Sequence, residues 1–351
     1  MIHADRRNLA DARRTSGRHR SAALSRVRGL ASAAALAMLA ACGGSPHGQP
    51  VRFTVPRHAG LSRAADSLAA HGIIGSKTIF KLMGRFGGKR SIKPGVYEVR
   101  PGESYSRILD KLVAGDVVKI RLVIPEGWTL QQIAARIAQK AALPADTVLR
   151  HLSDPAAAKR LGVPGPTLEG YLYPATYVFP LGTPVDGMAK TMVKRYQTVW
   201  TPPLRARADS LGMSERDVVT LASIVEKEAK VWSERPTIAA VYANRMRIGM
   251  RLQADPTVQY ALGSHQSRLL YSEIQSVAGS PYNTYTHAGL PPGPIASPSK
   301  GAIEAVLHPT ADPYLYFVAR PNGTHVFTKS LAEHNAAKRQ AQQEAAAAGV
   351  K

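Results

Sequence analysis

Residues 214–229 read SERDVVTLASIVEKEA, and the placing of apolar and acidic positions in this stretch sets the reading of the whole chain. Ser214 stands three residues ahead of Asp217, the spacing of a capping box, so a helix opens here. Val218, Ala222, Val225 and Ala229 recur at the spacing of a core-facing stripe. At about 100° per residue, Glu226 lies beside Val219 and Ala222 at one margin of the stripe. Glu228 lies beside Leu221 and Ile224 at the other. A carboxyl held against apolar neighbours has a raised pKa and stays protonated near neutrality, as a general acid must. The alternative is a pair of margin glutamates neutralised by Lys227, Lys230 or Arg235, the ordinary fate of such residues. The helix alone leaves both readings open.

The surrounding chain of 351 residues is long enough for two modest domains, and its 44% hydrophobic and 6% aromatic content is that of a globular protein. Its formal charge is +22; eight arginines and two aspartates in residues 1–41 carry +6 of this, leaving +16 on the remainder. A basic surface suits nucleic acid, anionic headgroups or an acidic wall polymer. No zinc spacing, RNP-like motif or Walker loop supports nucleic acid. The 11 histidines have no paired ligand spacing on a helix, and the single cysteine, Cys42, cannot build a metal cage or an intramolecular disulfide, so no cofactor is expected.

Gly29 to Ala41, GLASAAALAMLAA, is an apolar run of signal-region length behind an arginine-rich flank. Leu39-Ala40-Ala41-Cys42 resembles a bacterial lipobox, with Cys42 as the lipidated residue. The expectation is an exported, membrane-tethered protein, at the inner membrane with its bulk in the periplasm. Residues 43–50 form a Gly, Ser and Pro rich spacer.

Residues 51–160 alternate short strands and helices, the pattern of a small α+β module. Strands are expected at 51–55, 94–99 and 117–124, and helices at 61–73, 77–86, 105–113 and 128–138. The segments GESYSRILDKLVAG (102–115) and VVKIRLVIPEGWTLQQIAARIA (117–138) resemble LysM-like glycan-binding modules. The domain boundary is expected within the Pro, Ala and Gly rich residues 144–165, which also hold a short helix at 145–152, so a mixed α/β catalytic domain would span 161–345. Leu168 to Pro180, LEGYLYPATYVFP, packs three tyrosines and a phenylalanine into strand or core, or lines a sugar-stacking wall with Glu169 as its polar handle.

Further on stand SIVEKE (223–228), Asn244-Arg245, LQADPTVQY (252–260), YNTY (282–285), GLPPGPI (289–295) and YLYFV (314–318). This series resembles the YceG-like family of endolytic murein transglycosylases over residues 51–340. The chain departs from the family pattern at Ala175, where an acidic residue is usual, and in offering a 13-residue apolar run in place of the family's transmembrane helix. The resemblance implies peptidoglycan glycan strands as substrate, a lytic transglycosylase reaction leaving 1,6-anhydro-muramic ends, and a neighbourhood of peptidoglycan synthases.

A hydrolase needs two carboxyls about one glycosidic bond. Side chains two apart on a helix diverge by about 160°, so Glu226 and Glu228 cannot flank one bond, and a muramidase would recruit Asp255 or Glu169. A lytic transglycosylase uses the sugar's own C6 hydroxyl as nucleophile and needs one carboxyl. By resemblance that carboxyl is the first of IVEKE, Glu226. Gln253, Asp255, Asn283, Tyr285 and Asn244 are the candidates for binding sugar hydroxyls and acetamido groups. Against this, Asp255 and Pro256 match a helix start, and Asn283 matches a turn. The remaining alternative is a wall-binding lipoprotein without catalysis.

Overall fold

The computed structural model describes residues 46–89, 91–264 and 269–347. The apolar run 29–41 and Cys42 of the lipobox lie outside them. The chain forms two compact units, one reaching Lys119 with the addition of Pro180–Gly182, the other made of Ile120–Phe179 and the residues from Thr183 onward.

In the first unit, β1 (Val51–Val55), α1 (Leu61–Ala70), α2 (Lys77–Phe86), β2 (Gly95–Val99) and α3 (Tyr105–Ala114) follow one another. The strands pair antiparallel from Val51 opposite Val99 to Val55 opposite Gly95. Alternation in VRFTV turns Phe53 and Val55 inward, onto Leu68, Phe80, Tyr97, Ile108 and Leu112. Each such buried aliphatic side chain contributes roughly 2 kcal/mol. Ser76 and Ser104 accept the amide protons of Ile79 and Arg107, and so start α2 and α3.

The second unit opens with β3 (Lys119–Ile124), α4 (Leu130–Ala141), α5 (Ala145–Ser153), α6 (Pro155–Leu161) and β4 (Ala175–Pro180), the last of which pairs with β3. Residues 144–165, where the sequence placed a boundary, are occupied by α5 and α6. Leu122, Ile124, Ile133, Ile137 and Leu152 pack in one core with Tyr171, Met188, Met192 and Tyr196, which ties Ile120–Phe179 to the second unit. The LysM-like segment 102–138 is therefore divided: α3 stands in the first unit and α4 in the second. The aromatic stretch 168–180 is core, with Tyr171, Tyr177 and Phe179 buried.

Then come α7 (Val185–Val199), α8 (Pro202–Ser210), α9 (Glu215–Glu228), a 3-10 turn (Trp232–Glu234), α10 (Arg235–Arg247), α11 (Asp255–Leu262), α12 (Tyr271–Ser276), α13 (Lys300–Leu307), the antiparallel hairpin β5 (Tyr316–Ala319) and β6 (His325–Thr328), and α14 (Leu331–Ala347). The architecture is the expected α+β class, helices with three two-stranded sheets among the described residues. Helix α9 is the central element of this unit: residues 218–225 are all buried, and α10 and α13 pack against it. Its capping box is the expected one, Ser214 accepting from the Asp217 amide while the Asp217 carboxylate accepts from the Ser214 amide.

Candidate active site

The two glutamates at the end of α9 meet unlike surroundings. Glu226 turns into the protein, its side chain 7% exposed. One carboxyl oxygen accepts from the Arg235 guanidinium at 2.7 Å, and the other from the Ser299 amide at 3.0 Å and hydroxyl at 2.6 Å. Arg235 also donates to the Ser299 hydroxyl at 3.0 Å, closing a three-residue ring between α9, α10 and the start of α13. Ser299 is the N-cap of α13, so the ring joins two helix ends to α9. Close by, Gly127 adopts φ 70°, the left-handed conformation that favours glycine, beside the Glu226 side chain. The turn is held by the Gly127 amide on the Ser297 carbonyl and the Ser297 amide on the Trp128 carbonyl, both at 2.8 Å. A carboxylate with donors on both oxygens is a structural clamp. Of the two sequence readings, pairing with Arg235 is the one that describes Glu226.

Glu228 is half-buried and accepts one hydrogen bond, from the Tyr242 hydroxyl at 3.0 Å. Burial, with the Asp255 charge second, pushes its carboxyl up to about 7, against the pull of the Tyr242 bond and Arg245. This is the property the sequence sought in a general acid, and it belongs to the second glutamate. Asp255 is the first residue of α11, one past the N-cap Ala254. Its carboxylate accepts from the Tyr285 hydroxyl at 2.5 Å. Tyr242, buried on α10, and Tyr285, on the YNTY turn, are both raised by burial and stay neutral donors.

Gln253 is exposed just before Asp255 at φ 48°, a left-handed conformation rare for a side chain with a Cβ. The strained backbone is fixed by the Gln253 amide on the Thr284 carbonyl and the Ala254 amide on the Thr284 hydroxyl, so LQADP and YNTY are tied to each other. Two other candidates hold backbone. Asn283 is fully buried and donates to the carbonyls of Ile274 and Val277, while its oxygen accepts from the Tyr285 amide. Asn244 donates to the carbonyls of Asp312 and Tyr314. They shape the site from behind. The structure thus brings Glu228, Asp255 and Tyr285 together, with Gln253 tied to the same YNTY turn, while Glu226 pairs with Arg235 and Ser299 and the Asn283 and Asn244 amides hold backbone carbonyls.

Glu169 is also buried, and accepts from the Leu130 amide at 2.9 and 3.0 Å and the Tyr260 hydroxyl at 3.2 Å. Its carboxyl is pushed up to about 7 by burial. The next residue, Gly170 at φ 84°, lies so close to Pro294 that a Cβ would strike the ring, which seats the PPGP loop on the 168–171 turn.

A family model described as the YceG-like family matches residues 53–340. The chain belongs to the YceG-like family. An endolytic murein transglycosylase of Bacillus subtilis (strain 168) is 35% identical over 304 residues, covering 82% of this chain and 84% of that protein. One of Streptococcus pneumoniae (serotype 2, strain D39) is 30% identical over 298 residues, covering 77% of this chain and 54% of that longer protein. In structure, this YceG-like chain is similar to the crystal structure of a putative yceG-like protein of Listeria monocytogenes, at TM-score 0.58 and 35% identity over 83% of this chain and 99% of the other.

Arg235 was named from the sequence as one of three possible cations, whereas Ser299 and Tyr242 were not singled out. Nothing local marks them: Ser299 lies 73 residues from Glu226, and Tyr242 lies 14 from Glu228.

Proposed function

We propose that this YceG-like chain is an endolytic peptidoglycan lytic transglycosylase, and that Glu228 is its acid and base. The observation that carries the assignment is the Glu228 carboxyl, held up to about 7 beside Asp255 at the half-open edge of the site. The printed names of the relatives supply the substrate class and the transglycosylase reaction.

The chemistry follows from one carboxyl. Protonated Glu228 gives its proton to the oxygen between muramic acid C1 and the next sugar as that C–O bond breaks. The resulting carboxylate takes the proton of the C6 hydroxyl while O6 closes onto C1. The carboxyl ends as it began, no water is consumed, and a 1,6-anhydro end is left. The nucleophile is already in the substrate, so its positioning is intramolecular. Burial and the Asp255 charge keep the acid protonated; Asp255 and Tyr285 flank the sugar, and Gln253 reaches it from the strained turn.

A muramidase is the second reading, because Asp255 places another carboxyl beside Glu228, and a hydrolase would use it to activate water. Mass spectrometry of digested strands separates the two. Anhydro ends support the transglycosylase, and reducing ends the muramidase; absence of products would return the chain to a wall-binding role.

The proposal extends to placement. The chain is exported and tethered through residues 29–42, with a lipid on Cys42 and its catalytic unit in the periplasm at the inner membrane, near the synthases that make its strands. The arginine-rich flank, the apolar run and the small residues before Cys42 support this. Labelling with a fatty-acid analogue tests it: incorporation that survives Cys42→Ala would remove the lipid anchor from the account.

A further inference from the structure

Trp232 is 71% exposed, whereas Trp200 of the same unit is buried to 3%. An indole left open in this way is a surface in want of a partner. It stands on the 3-10 turn directly after α9 and forms one wall of a groove of about 500 Å³ whose other lining residues include Arg235, Pro236, Gly301, Glu304 and His308. The indole is backed: the Arg235 guanidinium lies over the ring, 5.1 Å from its centroid. Arg235 is in turn fixed by Glu226 and Ser299. The hydrogen bonds of Arg235 to Glu226 and Ser299 thus set the position of the cation that faces the indole.

We propose that the Trp232 groove is a saccharide subsite that holds a glycan strand to one side of the scissile bond. A pyranose ring presents a flat face of C–H bonds and a rim of hydroxyls. The first suits a fixed indole face, and the second suits the carboxylate of Glu304 and the imidazole of His308 across the groove. Trp232 follows Glu228 by four residues, at most ~14 Å of extended chain, but its groove opens on the Arg235 and α13 side of α9, so a strand gripped there reaches Glu228 through sugars further along its length. The subsite rests on the reading of the protein as a glycan-cleaving enzyme. It adds a residue that grips the polymer without touching the reacting atoms.

The test uses the full chain and glycan strands freed of their peptides. Strands should change the indole emission of the wild-type protein. Trp232→Ala should abolish that change and raise KM for strands about tenfold, the effect of losing one good stacking contact, with little loss of kcat. Trp232→Phe, which keeps an aromatic face, should stay within about twofold of wild type. Tyr271→Ala, at another exposed aromatic, should leave the emission change and KM alone. A wild-type KM and emission change in Trp232→Ala would overturn the subsite. Failure of the underlying reading would look different: strands would still bind through Trp232, but no anhydro ends would form.

Discussion

Glu226 and Glu228 stand two residues apart on the last turn of α9, yet Glu226 accepts three hydrogen bonds from Arg235 and Ser299 while Glu228 accepts one from Tyr242. The first is neutralised by a cation. The second is kept near its proton by burial and by a neighbouring carboxylate. From this division of labour come separate expectations for stability and for catalysis.

Glu226→Gln should behave as a stability variant. It leaves the 6% exposed guanidinium of Arg235 without its counter-charge, and breaking one side of a buried ion pair costs about 3–5 kcal/mol. Thermal unfolding should show the loss directly, and the folded fraction should retain measurable cleavage. Arg235→Met removes the other charge and should unfold at a similarly lowered temperature.

Asp255→Asn should move the pH dependence. In the wild-type enzyme kcat/KM should fall as pH rises through about 7, where Glu228 loses the proton it must donate. Without the Asp255 charge the Glu228 proton leaves more easily, so the alkaline limb should shift to lower pH. A profile unchanged by the substitution would separate Asp255 from the acid.

Glu169 supplies a stability prediction with a sign. Burial raises its carboxyl from 4.5 to about 7, so the folded state binds that proton more tightly than the unfolded chain. The resulting stabilisation is fully present below the ordinary carboxyl range and is lost as pH rises through about 7. At about 1.4 kcal/mol per pH unit the span is on the order of 3 kcal/mol. Urea midpoints measured across this window should decline in the wild type and decline less in Glu169→Gln.

Gln253→Gly should relieve the left-handed backbone at φ 48°. The gain of about 1–2 kcal/mol from lost strain is partly offset by the flexibility of glycine, leaving about 0.5 kcal/mol of added stability. The same variant lacks the amide side chain at the site edge and should bind strands more weakly, which paired urea titrations and KM values would reveal.

Much of the fold was legible because local rules agree with it. Ser214 and Asp217 announced α9, alternation in VRFTV announced β1, and the segments 77–86, 105–113 and 145–152 became helices within a residue of the expected ends. The division into units was harder. Residues 144–165 look like a linker by composition, but Ala157, Ala158 and Leu152 bury small and branched side chains against α7 and make the segment core. The site was legible as a set of motifs and ambiguous in its roles. A helical wheel places Glu226 and Glu228 at equivalent margins; only Arg235 and Ser299 on one side, and Tyr242 and Asp255 on the other, distinguish them. Asp255, open between a helix start and a sugar-binding role, stands first in α11 and accepts from the Tyr285 hydroxyl. Asn283, open between a sugar contact and a turn, and Asn244, a sugar-binding candidate, have their side-chain amide donors on the carbonyls of Ile274 and Asp312 among others.

The central claim is that Glu228 is the acid and Glu226 its structural neighbour. Digestion of purified glycan strands by Glu226→Gln and Glu228→Gln, each normalised to folded protein and read by mass spectrometry, tests it most directly. The account predicts anhydro ends from folded Glu226→Gln and a loss of at least about a hundredfold in their formation by Glu228→Gln. Near-normal anhydro products from Glu228→Gln, with none from folded Glu226→Gln, would contradict it.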